Sequence, residues 1–513
     1  MTPPQAITYA LERARADRDS EAALAELAQC ALAQGEQALA LEYLMSVVGR
    51  QPGRSRLWQW IGLLERDRDC RIEAAQAFGK AVALEPSNRS IVLGQAQVYL
   101  EAGFPASALY REALSRWRGD HDLILGYAAA LFAEGNSDDA IAMLEEHLLT
   151  EPNWIDGHRQ LAQLLALVGR FHDIGASYKR GLASPYGSPY LWWGLVDQYI
   201  LAEQYERALE TIGDARTKTG DTRHYVLNEA VARAELGDRE NADLCFARLG
   251  APDDIHFATR LVRHHLRSGR IEMARDLAER WKEPQAGPFM WPYLASIWRF
   301  MEDPRSQWLE GDERTILEID LSDQIPSLKT LQSVLFRMHH GAGSFLDQSV
   351  RGGTQTAGHL LLREEPEIRE LREIIRTAVC QYITRLPPID PRHPLLSQRR
   401  DLNPRFAGSW SVLLRQGGKH NNHVHPEGWI SSALYLSLPE NMGEGGKDRS
   451  GWLTLGAPAS ELEMGLEPTR VVRPVVGKLV LFPSTMWHGT VPFASGERMT
   501  IAFDIAYPGR FSA

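Results

Sequence analysis

The sequence of 513 residues contains little cysteine, no long apolar run and no excess of basic residues. The four cysteines, Cys30, Cys70, Cys245 and Cys380, are far apart and form no Cys-x-x-Cys pair, which argues against a zinc ribbon or a disulfide framework. Lys and Arg number 56 against 66 Asp and Glu, so a basic surface for nucleic acid is not expected. Neither a membrane span nor the apolar core of a secretory signal is present. We therefore expect a cytoplasmic protein that binds neither nucleic acid nor a membrane.

The first half of the chain contains a sequence repeat of about 34 residues. Glycine or another turn-forming residue recurs at intervals of 34 or 32 residues, at Gly35, Asp69, Gly103, Gly135, Gly169, Glu203, Gly237 and Gly269. Five residues after each of these stands an alanine in seven of eight cases, namely Ala40, Ala74, Ala108, Ala140, Ala208, Ala242 and Ala274, with Ile174 as the exception. A residue in the left-handed backbone conformation ends one helix, and a small residue lets the next helix approach closely. Each unit is therefore predicted to be a helix–turn–helix.

These landmarks resemble the tetratricopeptide repeat, in about eight copies over residues 20–286. The resemblance implies an all-α superhelix whose concave surface binds a protein or peptide. We expect this array to occupy residues 1–287, and a helical connector without repeat landmarks to follow over 288–324. The aromatic residues at helical spacing are interpreted as packing residues of the stack, namely Trp58, Trp60, Trp192, Trp193, His264 and His265.

From about residue 325 the pattern changes to that of an α+β domain. A helix is predicted at PEIRELREIIRTAVCQYITRL, which has an apolar stripe and charge pairs four residues apart. After Arg405 come five short runs rich in β-branched residues: SWSVLLRQ, WISSALYLSL, GWLTLG, RVVRPVVGKLVLFP and RMTIAFDIAY. Short strands separated by turns predict a sandwich or a small barrel that can hold one small ligand. The expected fold class is thus multidomain, with an all-α superhelix followed by an α+β domain over 325–513.

Histidines are concentrated in the strand-rich region. His423 and His425 lie two residues apart at the end of a predicted strand, so their side chains point to the same face. His488 stands at the end of a later strand, and Arg498 follows ten residues after it. Two nearby imidazoles and a distant third indicate a facial metal site with open positions, which suits non-haem Fe(II). An arginine one strand further on could bind a carboxylate.

Residues from about 325 to 513 resemble the 2-oxoglutarate/Fe(II)-dependent oxygenases, specifically the branch found fused behind tetratricopeptide repeats. The motifs that carry the resemblance are DQSVRGGTQT, HNNHVHPEGWISSALYLSLP, GKLVLFPSTMWHGTVP and ERMTIAFDI. The family implies a double-stranded β-helix (a jelly roll), iron held by an H-x-(D/E) motif and a distal histidine, and an arginine that binds 2-oxoglutarate. His423, His488 and Arg498 match these positions, so Fe(II) and 2-oxoglutarate are the expected cofactors.

The sequence departs from the family at the acidic ligand. The residue two positions after His423 is His425, whereas a shift by two residues gives His425 and Glu427 as an H-x-E motif. We favour His423 and His425, because Gly417–Gly418 precede the first histidine at the usual spacing and this branch tends to have H-x-H-P. Glu427 remains the alternative ligand. Tyr435 could line the co-substrate pocket or could be a packed barrel residue.

We therefore predict a dioxygenase that hydroxylates a protein or peptide substrate recruited by the repeats, while 2-oxoglutarate is converted to succinate and CO₂. The alternatives are a binding scaffold with an inactive barrel and a cupin-like enzyme that uses zinc or manganese. The repeats could also serve only to assemble or localise the enzyme. His420 is expected to lie beside the metal without binding it, or in solvent, and His339–His340 outside the site.

Overall fold

The computed structural model describes residues 3–17, 20–282, 287–343, 345–346, 348–439, 442–446 and 448–508. Within these ranges an array of helices is followed by a domain of two antiparallel sheets. This agrees with the expected fold class. Among the helices described, none combines the length and apolarity that crossing a bilayer requires.

In the described ranges, helix α1 (Pro3–Ala16) is followed by nine helix pairs. Their bounds are α2 (Glu21–Gln34) and α3 (Gln37–Arg50), α4 (Ser55–Asp67) and α5 (Arg71–Leu84), α6 (Arg89–Glu101) and α7 (Ser107–Arg116), α8 (His121–Ala133) and α9 (Ser137–Thr150), α10 (Ile155–Leu167) and α11 (Ala176–Ala183), α12 (Tyr190–Leu201) and α13 (Tyr205–Thr219), α14 (Arg223–Glu235) and α15 (Arg239–Leu249), α16 (Ile255–Arg267) and α17 (Ile271–Arg280), and α18 (Gly287–Phe300) and α19 (Arg305–Glu310). All eight predicted turn residues lie between the helices of a pair and have φ between 57° and 83°. The helix–turn–helix prediction is confirmed.

The sequence led us to expect that the repeats end at residue 287, but one more helix pair follows. Glu302, between α18 and α19, has φ 56° and lies at the place of the turn residue, 33 positions after Gly269. The N–H of Asp303 donates to the carbonyl of Trp298, the same closure that Arg270 makes to His265 in the preceding pair. The expected connector therefore begins with a ninth pair, which was missed because Glu302 departs from the intervals of 32 or 34 residues and because Gln307, not alanine, stands five residues after it.

The residue five positions after the turn residue is buried in seven of the eight predicted copies. Ile174 and six of the seven alanines have no exposed surface, namely Ala40, Ala74, Ala140, Ala208, Ala242 and Ala274. The expectation for Ala108 is wrong, because this residue is exposed. Helix α7 begins four residues after Gly103, whereas α3 begins two residues after Gly35. Tyr110 therefore takes the buried place in that copy.

The residues interpreted as packing residues divide into two groups. Trp58, His264 and His265 are buried in the stack. Trp60, Trp192 and Trp193 are only half-buried and pack at the edges of the apolar clusters. The second group therefore also contributes to the surface of the array.

Nine strands in the described ranges form the two sheets: β1 (Leu317–Asp320), β2 (Val350–Gln355), β3 (Phe406–His420), β4 (Gly428–Ser437), β5 (Leu453–Leu455), β6 (Arg470–Val472), β7 (Lys478–Pro483), β8 (His488–Thr490) and β9 (Arg498–Ala506). The six-stranded sheet has the order β1-β7-β4-β9-β3-β2, and the three-stranded sheet has the order β6-β5-β8. Strand β1 pairs with β7, so the sheet begins inside the segment expected to be a helical connector.

The six-stranded sheet separates two cores. Helices α20 (Leu328–Met338) and α21 (Pro366–Arg385) cover one face, where Met499, Ile501 and Phe503 of β9 are buried. Between the two sheets, Val480 and Phe482 pack with Leu453 of β5. Strand β9 alternates between these faces, so its residues with even numbers point into the space between the sheets.

One edge of the array contacts the β domain. The contacts come from the turns inside the helix pairs and from the helix ends next to these turns. Arg405 binds Asp67 at 2.7 Å, Arg351 binds Glu203 at 2.7 Å, and Arg239 binds Glu463 at 2.6 Å. The N–H groups of Glu364 and Gly343 donate to the carbonyls of Ala102 and Leu167, each at 2.9 Å. Trp487 is 3% exposed, and its indole N–H donates to the carbonyl of Pro292. The repeats and the β domain therefore share buried contacts.

Candidate metal centre

Three histidines come together at the open end of the two sheets. His423 and His425 lie between β3 and β4, and His488 begins β8. The backbones of His423 and His488 exchange two N–H to carbonyl hydrogen bonds of 3.0 Å, which fixes the two residues side by side. Ring nitrogens of the three histidines lie within 4.8 Å of one another. The structure thus places the predicted residues in one cluster.

Each imidazole of the cluster donates its Nδ1–H to a fixed acceptor. The acceptors are the carbonyl of Asn421 for His423 at 2.7 Å, the carboxylate of Asp504 for His425 at 2.5 Å, and the carbonyl of Met486 for His488 at 3.0 Å. Because the acceptors hold the proton at Nδ1, each Nε2 carries a lone pair that can bind a metal. This donor set fits a divalent transition metal with open coordination positions.

The environment favours neutral imidazoles at two of the three positions. Burial, together with the neighbouring histidines, lowers the pKa of His423 and His488 well below the ordinary value. Burial also acts to lower the pKa of His425, but the charge and hydrogen bond of Asp504 outweigh it and raise that pKa. Neutral imidazoles are the form that binds a metal.

Glu427, the alternative ligand, lies differently. Its side chain is exposed, and it is not a member of the cluster formed by His423, His425 and His488. Geometry therefore favours His425, and the choice between the two ligands stays a prediction.

Arg498 and Tyr435 lie deeper between the sheets. Both are buried, and the guanidinium of Arg498 lies 5.0 Å from the centre of the Tyr435 ring. Nη1 of Arg498 donates to the hydroxyl of Thr490 at 3.1 Å. Within the described residues, neither Nε of Arg498 nor the hydroxyl of Tyr435 makes a hydrogen bond of ordinary geometry. A buried cation with unused donors is the environment that a carboxylate ligand would complete.

Two residues that the sequence reasoning did not single out contact the cluster. Asp504 lies on the same face of β9 as Arg498, six residues further on, so the period of a strand could have identified it. Ser349, just before β2, places its hydroxyl 3.1 Å from Nε2 of His423 and 3.0 Å from Nδ1 of His420. The irregular segment before β2 gave no comparable signal.

The remaining histidines have distinct places. His420 lines the same cavity as the cluster, and its ring stacks on His423 at a centroid distance of 5.8 Å. Burial lowers the pKa of His420 to about 3. His339 is bonded to Ser411 and Thr354, outside the cluster. His420 is thus beside the candidate metal position, and His339 is elsewhere.

The cluster opens toward the repeats. A cleft with His423 and His425 at its base is lined on the β-domain side by Glu427 and on the array side by Glu203 and Arg263. Glu203 follows α12, and Arg263 belongs to α16. We call this cleft the mouth of the site. Two repeats therefore form part of its wall.

The chain thus combines a helical-repeat array with a two-sheet domain that holds three histidines suited to a metal. Residues 408–504 match the family model described as "Putative 2OG-Fe(II) oxygenase", and residues 105–166 match the tetratricopeptide repeat. The two family resemblances expected from the sequence are confirmed for these residues. No curated protein matches the sequence significantly.

Solved structures with similar parts include a tetratricopeptide repeat protein from Parabacteroides merdae and a prolyl-4-hydroxylase from Pseudomonas putida. The first is 14% identical, with a TM-score of 0.31 over 47% of this chain and 92% of its own. The second is 17% identical, with a TM-score of 0.26 over 42% of this chain and 98% of its own.

Proposed function

We propose that the protein is a 2-oxoglutarate- and Fe(II)-dependent dioxygenase that hydroxylates a polypeptide substrate. The observation that carries the proposal is the cluster of three imidazoles, in each of which Nδ1 is hydrogen-bonded to the protein and Nε2 is left to bind a metal. His423, His425 and His488 would hold the iron. Bound iron supplies the activation of dioxygen that is coupled to the oxidative decarboxylation of 2-oxoglutarate.

The chain's own residues bind and orient the co-substrate. Arg498 provides a buried positive charge, and Thr490 fixes one arm of its guanidinium. Its Nε and the hydroxyl of Tyr435 provide donors for the distal carboxylate of 2-oxoglutarate. Leu453 and Phe482 give the cavity of the histidine cluster an apolar wall, which limits the access of water.

The shape of the mouth supports a polypeptide substrate. Its wall includes Glu203 and Arg263 from the repeats, so a ligand that reaches the metal passes between the array and the β domain. A helical-repeat surface suits an extended polypeptide. On this proposal the repeats take part in binding the substrate and do not only localise the enzyme.

A second candidate function is a binding scaffold whose β domain is inactive or holds another metal. The observation that favours it is a ligand cluster of three imidazoles, where the related oxygenases use a carboxylate. Three histidines also suit zinc. The metal content of the protein purified without chelator separates the two: stoichiometric iron supports the oxygenase, and zinc or no metal supports the alternative.

The direct test is anaerobic titration with Fe(II) and 2-oxoglutarate, followed by absorption spectroscopy and then by succinate release in air. We expect a charge-transfer band and succinate in the unaltered protein, and neither in His423→Ala. His147→Ala, a histidine change on α9 in the array, serves as the matched control and should retain both. Absence of the band and of succinate in the unaltered protein would contradict the proposal.

A further inference from the structure

Three aromatic rings form an exposed patch on two neighbouring helices of the array. Trp193 on α12 stacks on His224 of α14 at a centroid distance of 5.0 Å, and Tyr190 contacts Trp193 edge-on at 5.2 Å. Tyr190 is 62% exposed, and the other two rings are half-buried. We call Tyr190, Trp193 and His224 the aromatic patch. Exposed rings in contact with one another are typical of surfaces that bind proteins.

The patch is continuous with the mouth of the site. Trp193, Asp197 and Leu201 are spaced by four residues, so they follow one face of α12. Leu201 is 40% exposed, and Glu203, two residues further, lines the mouth. This face therefore leads from the aromatic patch to the candidate metal centre.

Helix α14 lies alongside the same face. Asp197 of α12 accepts from Asn228 of α14 at 3.3 Å and lies 3.1 Å from Nε2 of His224. Arg263 of α16, the first helix of the next pair, lines the mouth beside Glu203. The first helices of three successive pairs thus form one surface.

The length of this surface determines how many residues of an extended ligand lie between the aromatic patch and the mouth. Trp193 and Glu203 are ten residues apart, which corresponds to about 15 Å along a helix. An extended polypeptide covers this distance with about five residues.

We propose that the surface from the aromatic patch to Arg263 binds the substrate polypeptide in an extended form, with an aromatic or proline side chain against Trp193. That side chain lies about five residues from the part of the segment that enters the mouth. Aromatic and proline rings suit the patch because flat apolar surfaces stack on tryptophan with little loss of conformational entropy. Arg263 donates to Glu235 from Nε at 3.4 Å and from Nη2 at 3.1 Å, so its side chain is held in place where it lines the mouth. This proposal rests on the proposed function, because the mouth leads to the metal centre.

The test uses the full chain and a phage-displayed library of random twelve-residue peptides. Enriched peptides are synthesised with a fluorophore, and their affinity is measured by fluorescence polarisation. We compare the unaltered protein with Trp193→Ala, His224→Ala and Arg263→Gln. Tyr186→Ala is the matched control, because Tyr186 is 81% exposed four residues from Tyr190 but lies before α12. Circular dichroism melting identifies any variant that does not fold.

We expect an aromatic residue or proline to recur in the enriched peptides. Trp193→Ala should weaken binding about tenfold, which corresponds to about 1.4 kcal/mol for one aromatic contact. His224→Ala and Arg263→Gln should weaken binding less, and Tyr186→Ala should not change it. A library without binders, or folded variants of Trp193 and His224 that bind as tightly as the unaltered protein, would overturn the proposal.

Failure of the proposed function has a different signature. Turnover of 2-oxoglutarate in the absence of peptide requires the metal centre and not the aromatic patch. If a variant loses peptide binding but retains this turnover, the result bears on the proposed binding surface and not on the oxygenase. Peptide binding at the patch without succinate release in any protein sample contradicts only the oxygenase.

Discussion

Nδ1 of His425 and the carboxylate oxygen Oδ2 of Asp504 lie 2.5 Å apart, at the junction between the histidine loop and β9. The other oxygen of Asp504 accepts from the hydroxyl of Ser431 at 2.5 Å, on the neighbouring strand β4. Asp504 is only 7% exposed, so its negative charge acts on His425 with little screening by water. The pair fixes the orientation of the imidazole and keeps its Nε2 directed toward the other two histidines.

Removing the charge of Asp504 should weaken the metal site without removing a ligand. We expect Asp504→Asn to lower the affinity for Fe(II) by about tenfold to a hundredfold, the usual effect of losing a partner of a metal-binding histidine. Anaerobic calorimetric titration measures the change. Asp320→Asn, at the exposed end of β1, is the control. Equal affinities in Asp504→Asn and the unaltered protein would show that the hydrogen bond does not support the ligand.

The choice between His425 and Glu427 predicts opposite results for two variants. We expect His425→Ala to lose bound iron, because the cluster would keep only two imidazoles. Glu427→Gln should retain iron, because Glu427 is exposed and outside the cluster. Iron content after anaerobic loading and desalting distinguishes them. Loss of iron in Glu427→Gln with retention in His425→Ala would make Glu427 the third ligand.

The sequence predicts the parts of the molecule that depend on local periodicity. The turn residues of the array follow from helix geometry. His423 and His425 lie in the loop between β3 and β4, so the period of a strand does not account for their position. The same reasoning missed the turn at Glu302, because its distance of 33 residues from Gly269 and the Gln307 five residues after it both depart from the repeat pattern. It also misplaced Ala108, because α7 begins two residues later than the register implies.

Contacts between distant segments could not be predicted from single residues. The sequence alone does not show that Ser349 approaches His423, since 74 residues separate them. It also does not show that Glu203 and Arg263 line the mouth, because that depends on how the array lies against the β domain. Asp504 is an intermediate case: its face on β9 was predictable, but its partner was not.

The buried His265 predicts that the array loses stability in acid. Burial, with the nearby charge of Arg270, lowers the pKa of His265 to about 4, against about 6.5 for an unfolded histidine. Between these values the unfolded chain binds the proton more strongly, so stability falls as the pH falls from 6.5 toward 4. From pH 7 to pH 5 we expect this residue to contribute a loss of about 2 kcal/mol.

Urea unfolding followed by circular dichroism at pH 7 and pH 5 measures this effect. His265→Gln cannot be protonated, so its loss between the two pH values should be smaller by about the same 2 kcal/mol. His121→Gln, at an exposed position, is the control. The same pH dependence in His265→Gln and the unaltered protein would show that His265 does not carry the proton linkage.

Replacing Arg498 should weaken the binding of 2-oxoglutarate but should not lower the stability of the free protein. Arg498 is 2% exposed, and its guanidinium makes no ion pair with any residue that the structure describes. A buried charge without a counter-charge destabilises a protein, and a carboxylate that binds there is stabilised by a charge-assisted pair. We therefore expect Arg498→Met to raise the apparent KM for 2-oxoglutarate by about tenfold to a hundredfold, while the affinity for Fe(II) is unchanged.

Without the co-substrate, the melting temperature of Arg498→Met should equal or exceed that of the unaltered protein. Addition of 2-oxoglutarate should raise the melting temperature of the unaltered protein but not of Arg498→Met, because stabilisation by a ligand depends on its affinity for the folded state. Arg473→Gln, at an exposed arginine, is the control and should respond like the unaltered protein. An equal response of Arg498→Met to 2-oxoglutarate would remove Arg498 from the co-substrate site.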